Sequence, residues 1–188
     1  MQNNLYPLVG FKRECFQEYH DECSLVLWCY DCNFHCSWCS MKSLIYDKSN
    51  IIKENYLSLI TTATKMESAV VFLGGEPTLY AKGLELGCNL ARDVRLKTKI
   101  FTNGSNMQLI YNLCKNKLLD AISIDYKEFD YTYAVVYNLI SGGYLPPENI
   151  DLRITMHTEL SEKDINQMKL NAESTGVNVY LQRYKNNS

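Results

Sequence analysis

Several features that would assign this sequence to other classes of protein are scarce or missing. The 188 residues include only four prolines and three histidines, and no apolar run approaches the roughly 20 residues that a membrane-spanning helix needs. The formal net charge is −2, so the basic surface of a protein that binds nucleic acid or an anionic membrane is not expected. The N-terminus lacks the apolar segment of a signal peptide, and we therefore expect a cytoplasmic protein.

Cysteine, in contrast, is abundant and unevenly distributed. The chain has eight cysteines, and four of them lie within residues 28–40, WCYDCNFHCSWCS. Disulfides are rare in a reducing compartment, so thiols at this density favour metal ligation or redox chemistry. The other four, Cys15, Cys23, Cys88 and Cys114, show no ligand spacing and are predicted to be ordinary thiols.

The spacing within the cluster leaves two metal sites open. Cys32, Cys36 and Cys39 form C-x3-C-x2-C, and three thiolates in a short loop suit three irons of a [4Fe–4S] cluster, with the fourth iron free to bind a ligand. Adding Cys29 instead gives four thiols, which could close a tetrahedral zinc site. Cys29 also lies in an apolar run, where a buried and inert cysteine is common. A second cluster from Cys15, Cys23 and Cys29 has weaker support, and His35 is expected to face solvent.

Strand-like and helix-like segments alternate along the rest of the chain. Apolar, β-branched runs predict strands at 24–30, 68–73, 97–102, 120–126, 149–157 and 177–182. Helical periodicity predicts helices at 50–66, 81–95, 105–118, 129–140 and 161–176, with Ser105 or Asn106 and Ser161 as N-caps. Such alternation indicates one α/β domain over residues 1–188, in which a parallel sheet carries helices outside it. Six units are too few for the usual eight-unit barrel, so a partial (β/α)6 barrel is expected.

Three further motifs follow predicted strands directly. They are Gly74-Gly75-Glu76-Pro77, Thr102-Asn103-Gly104-Ser105 and Asp125-Tyr126-Lys127. Each one alone is typical of a turn. Together with the cysteine loop they lie at strand C-termini, which is where parallel α/β folds place their active sites.

The cysteine loop after the first predicted strand, followed by G-G-E-P after the second, resembles the radical S-adenosylmethionine (SAM) superfamily over nearly the whole chain. The resemblance implies a partial (β/α)6 radical SAM barrel that binds a [4Fe–4S] cluster and SAM. It further implies reductive cleavage of SAM to methionine and a hydrogen-abstracting 5′-deoxyadenosyl radical. By the same resemblance, Cys32, Cys36 and Cys39 hold the cluster, Trp38 lies near the adenine, and Gly74, Gly75, Glu76 and Pro77 lie at the methionyl ammonium.

Further motifs resemble the enzymes that activate glycyl radical enzymes, such as anaerobic ribonucleotide reductase and pyruvate formate-lyase. Thr102-Asn103-Gly104 matches their T-N-G turn, and the ending LQRY at 181–184 is similar to their last strand. Asp125-x-Lys127 matches their D-x-K, in which the lysine reaches SAM and the aspartate helps to hold a cation. This resemblance implies a glycyl radical enzyme as partner and a flavodoxin- or ferredoxin-type electron donor. The net charge of −2 and the lack of a long apolar run indicate neither nucleic acid nor a membrane as a partner.

The chain departs from the activase pattern at three places. Phe101 stands where an aspartate often precedes T-N-G in pyruvate formate-lyase-type activases. The sequence therefore does not decide whether this chain has the cation site. Asp31 replaces the usual glycine before Cys32, and Ser40-Met41 replaces the frequent His-Asn.

The sequence is also compatible with two other functions. One is a radical SAM enzyme that acts on a small molecule or a peptide, such as a 7-carboxy-7-deazaguanine synthase-like or peptide-maturation enzyme. His157, Arg153 and Glu159 near a strand end would supply its polar pocket. The other is a non-catalytic module that binds zinc through Cys29, Cys32, Cys36 and Cys39.

Overall fold

In the part of the chain that the structure describes, seven strands form one open sheet whose strand order follows the chain. The computed structural model describes residues 5–126, 131–157 and 160–183. The strands are β1 (Leu8–Cys15), β2 (Ser24–Cys29), β3 (Ala69–Gly74), β4 (Lys97–Thr102), β5 (Ala121–Tyr126), β6 (Ile150–Met156) and β7 (Asn178–Arg183). From β2 to β7 every neighbouring pair is parallel. The predicted parallel sheet, open rather than closed into a full barrel, is therefore confirmed.

The first strand is the part of the sheet that the sequence pattern missed. Strand β1 pairs antiparallel with β2 and has irregular register at two points. Its sequence, LVGFKREC, mixes apolar residues with a glycine and charges, and most of its middle is exposed. An edge strand of this kind lacks the continuous apolar run by which buried parallel strands are recognised.

The described residues form six α-helices beside the strands: α1 (Lys42–Ile45), α2 (Tyr56–Thr61), α3 (Ala81–Asp93), α4 (Met107–Lys115), α5 (Tyr131–Ser141) and α6 (Glu162–Glu173). Asn106 caps α4, and Ser161 with Asp164 forms the expected capping box of α6. Within the described ranges, no helix is long and apolar enough to cross a membrane.

The predicted helix over 50–66 is wrong in extent, because only α2 forms there. The side chain of Asn55 accepts hydrogen bonds from the backbone N–H groups of Leu57 and Ser58, which starts α2 at residue 56. At the other end, the hydroxyls of Thr61 and Thr62 donate back to the Ser58 carbonyl. Such local side-chain bonds compete with a continuing helix, which explains its early end.

The two faces of the sheet have different roles. Alternate strand residues such as Leu27, Phe72 and Ile100 are fully buried in one apolar core with the helices. The opposite face, here called the inner face, carries a small apolar cluster that includes Val71 and Leu73. Farther along the sheet the inner face becomes polar. Its polar residues include Lys99, Ser123, Asp125, Asp151, Arg153 and Gln182.

Candidate active site

The predicted site residues meet around one cavity of about 470 Å³ at the C-terminal ends of the parallel strands. The loop after β2 contributes Cys32, Cys36 and Cys39, which are partly exposed and free of disulfides. The same loop contributes Trp38, and the ends of β3, β4 and β5 contribute Gly74, Gly75, Glu76, Thr102, Asn103 and Asp125. Pro77, the next residue along the chain from Glu76, is buried, and Lys127 and Glu159 lie outside the described residues.

The fourth cysteine of the cluster, Cys29, is separated from the other three. It is fully buried in the core on the helix side of the sheet, where burial raises the pKa of its thiol. Cys15 belongs to the inner-face cluster, so these two thiols lie on opposite faces and do not share a metal. In the described part of the chain, no group of three or more histidine, cysteine, aspartate or glutamate side chains could hold a single metal ion. The structure thus gives no support to the four-cysteine zinc module.

Two glycines bring the end of β3 against the start of the cysteine loop. Gly74 has φ +115°, and a Cβ atom there would lie 2.5 Å from the Cys29 nitrogen. A Cβ atom on Gly75 would lie 1.7 Å from the Asp31 carbonyl oxygen. The Gly75 N–H donates to the Cys29 carbonyl at 3.0 Å, and the Glu76 N–H donates to the Asp31 carbonyl at 2.9 Å. Only glycine allows backbone to approach backbone this closely.

Asp31 explains one departure from the activase pattern. Its φ is +64°, in the left-handed region that glycine adopts freely and that aspartate tolerates better than most residues. Its carboxylate also accepts a hydrogen bond from the Cys32 N–H at 2.8 Å. The activase pattern has a glycine at this position, and a left-handed backbone explains that preference. Asp31 adopts the same left-handed backbone, and its carboxylate also stabilises the loop.

Glu76 joins the ends of β3 and β4 through four hydrogen bonds. Its Oε1 accepts from the Thr78 N–H at 3.0 Å, the Thr78 hydroxyl at 2.6 Å and the Thr102 hydroxyl at 2.8 Å. Its Oε2 accepts from the Asn103 N–H at 2.7 Å. Burial raises the pKa of this carboxyl, and the four hydrogen bonds oppose that rise because they stabilise the ionised form. Since a carboxylate accepts about four hydrogen bonds, Glu76 acts here as a brace.

The T-N-G turn holds the cysteine loop through a pair of amides. Asn103 Nδ2 donates to Asn33 Oδ1 at 2.9 Å, and Asn33 Nδ2 donates to the Ser105 hydroxyl at 2.9 Å. Asn103 Nδ2 also lies 3.9 Å from Cys32 Sγ, to which it donates a hydrogen bond. The positioning role of Asn33 was not predicted, because only the fold brings it beside a turn 70 residues away.

Comparison with known proteins agrees with this geometry. The sequence pattern of the Radical SAM superfamily matches residues 26–168. The chain belongs to the radical SAM superfamily. Its cofactors are the [4Fe–4S] cluster and SAM that members of this superfamily use. Three cysteines without disulfides, on one loop at the cavity, are a donor set that fits such a cluster.

A curated protein of Methanocaldococcus jannaschii, provisionally named a glycyl-radical enzyme activating enzyme, is 32% identical over 120 residues. The match covers 60% of this chain and 49% of that protein, so the chain spans about half the length of this relative. The solved structure of TYW1 with a lysine–pyruvate adduct bound is similar in fold, with a TM-score of 0.58 and 15% identity. That match covers 87% of this chain and 65% of the other.

Two aromatic contacts shape the cysteine loop of this radical SAM chain. The Trp38 ring stacks on the buried His157 ring with centroids 3.5 Å apart and an angle of 7° between the planes. The exposed His35 stacks on Tyr46, whose hydroxyl donates to the Phe34 carbonyl. His35 is thus half of an aromatic pair at the surface. The adenine contact of Trp38 stays a prediction, and one face of its ring is already covered by His157.

The brace formed by Glu76 leads to a first prediction. In Glu76→Gln, one of the two carboxylate oxygens becomes an NH₂ group. In one orientation of the amide this NH₂ faces the Thr78 N–H, and in the other it faces the Asn103 N–H. A backbone N–H cannot accept a hydrogen bond, so one bond is lost in either orientation. We expect the free energy of unfolding to fall by about 2 to 3 kcal/mol. Because the brace holds the cavity wall, we also expect the dissociation constant for SAM to rise at least about tenfold, as anaerobic equilibrium dialysis would measure.

Glu67 offers a matched control at the opposite end of β3. Its carboxylate accepts from the backbone N–H groups of Glu14 and Thr64 and from Arg13. Glu67→Gln therefore creates the same mismatch and should lower stability similarly, while SAM affinity stays near that of the wild type. Equal losses of SAM affinity in both variants would show that Glu76 has no special role at the site.

Proposed function

We propose that this radical SAM enzyme installs a glycyl radical on a partner enzyme, as the activases of anaerobic ribonucleotide reductase do. The observation that carries the proposal is the 32% identity over 120 residues to the protein provisionally named a glycyl-radical enzyme activating enzyme. The T-N-G turn supports it, because this turn is part of the cavity wall beside the cysteine loop.

In this proposal Cys32, Cys36 and Cys39 would hold three irons of the cluster, and its fourth iron would stay open to SAM. When bound, the cluster and SAM supply one-electron chemistry that generates a hydrogen-abstracting radical. The protein would hold the cluster and SAM in position. Gly74 and Gly75 set the distance between β3 and the cysteine loop. Glu76 and Asn103 hold that loop in position, and Trp38 borders the space into which SAM fits.

The edge of the sheet next to the cavity supports a polypeptide as the substrate. Strand β7 pairs with β6 and with no other strand in the described ranges, and most of its residues are exposed. Gln182 and Arg183 of this strand line the cavity. An extended backbone segment that carries a glycine can reach such a cavity from the open edge, whereas a closed barrel would exclude it.

The remaining parts of the proposal concern the setting of the reaction. A flavodoxin- or ferredoxin-type protein would supply the electron, and residues 1–188 would act as one domain in the cytoplasm. None of the eight cysteines forms a disulfide, and five of them are buried, which suits a reducing compartment.

A second candidate is a radical SAM enzyme that acts on a small molecule or a peptide. The polar inner face favours it, because Arg153, Thr155 and Gln182 line the cavity. Such groups could fix the orientation of a small polar substrate.

One experiment separates the two candidates. The anaerobically reconstituted holoenzyme is reduced with dithionite and mixed with SAM and the anaerobic ribonucleotide reductase of the same organism. We expect the electron paramagnetic resonance doublet of a glycyl radical, together with 5′-deoxyadenosine. Deoxyadenosine formation without that doublet, and accelerated by 6-carboxytetrahydropterin, would contradict the activase proposal and favour the small-molecule enzyme.

A further inference from the structure

The inner face beside Asp125 carries a guanidinium where the activase resemblance implies a bound cation. Arg153 of β6 lies opposite Asp125 of β5 in the strand register. Its Nε is 3.8 Å from Asp125 Oδ1, and both residues line the cavity. A positive charge is therefore already present at this carboxylate.

The guanidinium of Arg153 is held in place by its neighbours. Its Nη2 donates to Gln182 Oε1 at 2.9 Å. Its central carbon lies 4.7 Å from the centroid of the Phe101 ring, within the range of a cation–π contact. Its Nε is buried and makes no hydrogen bond. A group held by an amide and an aromatic face keeps its position without a bound ligand.

The second cation near Phe101 has a different partner. Lys99 Nζ lies 5.0 Å from the same ring, but it pairs with Asp151 Oδ2 at 2.7 Å. Ser123 donates to that same oxygen at 2.8 Å. Lys99 is thus matched by Asp151 deeper in the sheet, which leaves Arg153 as the cation that faces Asp125 among the described residues of this wall.

The side chains at this corner do not fit a K⁺ or Na⁺ ion. Such ions need several oxygen ligands, and Phe101 supplies none at the position where an aspartate would supply two. The guanidinium beside Asp125 would also repel a second cation.

We propose that the Arg153 guanidinium, supported by Phe101 and Gln182, takes the place of a bound monovalent cation at Asp125. The enzyme then binds SAM without K⁺ or Na⁺. The residue at position 101 agrees with this proposal. An aspartate there would attract a cation, whereas Phe101 stacks on the Arg153 guanidinium that takes the place of that cation. The proposal concerns the cofactor cavity and holds whether the substrate is a glycine loop or a small molecule.

The test measures SAM binding and does not depend on any substrate. The reconstituted holoenzyme is dialysed anaerobically against labelled SAM in potassium, sodium or N-methyl-D-glucamine chloride at equal ionic strength. We expect dissociation constants that agree within about twofold across the three salts. Binding that is at least about tenfold tighter in potassium or sodium than in N-methyl-D-glucamine would overturn the proposal.

Variants test the role of the guanidinium itself. Arg153→Gln should weaken SAM binding at least about tenfold in N-methyl-D-glucamine, while Arg153→Lys, which keeps the charge, should lose less. Arg183→Gln removes a charge from the same cavity wall and should leave the binding equal in all three salts. An Arg153→Gln protein that keeps its iron and binds SAM as tightly as the wild type would contradict the proposal.

Discussion

Replacing Cys36 with alanine is expected to remove nearly all of the iron, whereas Cys29→Ala should retain about four irons per chain. The reason is placement, because Cys36 lines the cavity with Cys32 and Cys39, while Cys29 is fully buried on the helix side of the sheet. The measurement is iron, acid-labile sulfide and zinc content with the visible absorption spectrum, after anaerobic reconstitution.

A packing control is needed because Cys29→Ala removes a buried thiol. Cys88 is equally buried, in α3, and Cys88→Ala should cost a similar amount of stability and also keep the iron. Stoichiometric zinc without iron in the wild type, lost in Cys29→Ala and Cys36→Ala alike, would instead establish a four-thiol zinc site.

Replacing Gly75 with alanine is expected to lower the free energy of unfolding by more than about 3 kcal/mol. The added Cβ would lie 1.7 Å from the Asp31 carbonyl oxygen. That oxygen belongs to the backbone, so no side-chain rotation can relieve the overlap, and one of the two backbone segments has to move. The displaced segment carries Cys32, so iron loading should fall too. Urea denaturation of the apoprotein, followed by iron content after reconstitution, measures both effects.

Gly10→Ala provides the control for this substitution. At Gly10 the nearest atom to an added Cβ is 3.9 Å away, an ordinary contact. We expect the free energy of unfolding to change by less than about 1 kcal/mol and the iron content to stay the same. A Gly75→Ala protein as stable as Gly10→Ala would mean that the chain relaxes at the β3–loop junction without cost.

The sequence predicted most of the fold because the central parallel strands, β2 to β5, are largely buried on both faces. Residues 69–73, for example, are apolar throughout and stand out from the helices around them. Strand β1 has a solvated edge and no such run. The predicted helix over 50–66 failed because apolar spacing does not reveal the Asn55 cap that starts it late.

The sequence was sufficient to predict which segments meet at the site. It was not sufficient to predict the contacts between them. Parallel topology alone places one set of segments at the C-terminal ends of the strands: residues 32–39, 74–77, 102–105 and 125. The packing decided the rest: strand alternation turns Cys29 toward the helices, and a close backbone contact gives Gly75 its purpose. The partners of Phe101 lie on β4 and β6, which no local pattern connects.

The most direct test of the assigned chemistry is the release of 5′-deoxyadenosine and methionine from SAM by the reduced holoenzyme. We expect both products in equal amounts from the wild type, and neither from Cys36→Ala or from the unreduced protein. A wild-type protein that carries about four irons per chain and binds SAM, yet releases neither product on reduction, would contradict SAM cleavage at this site.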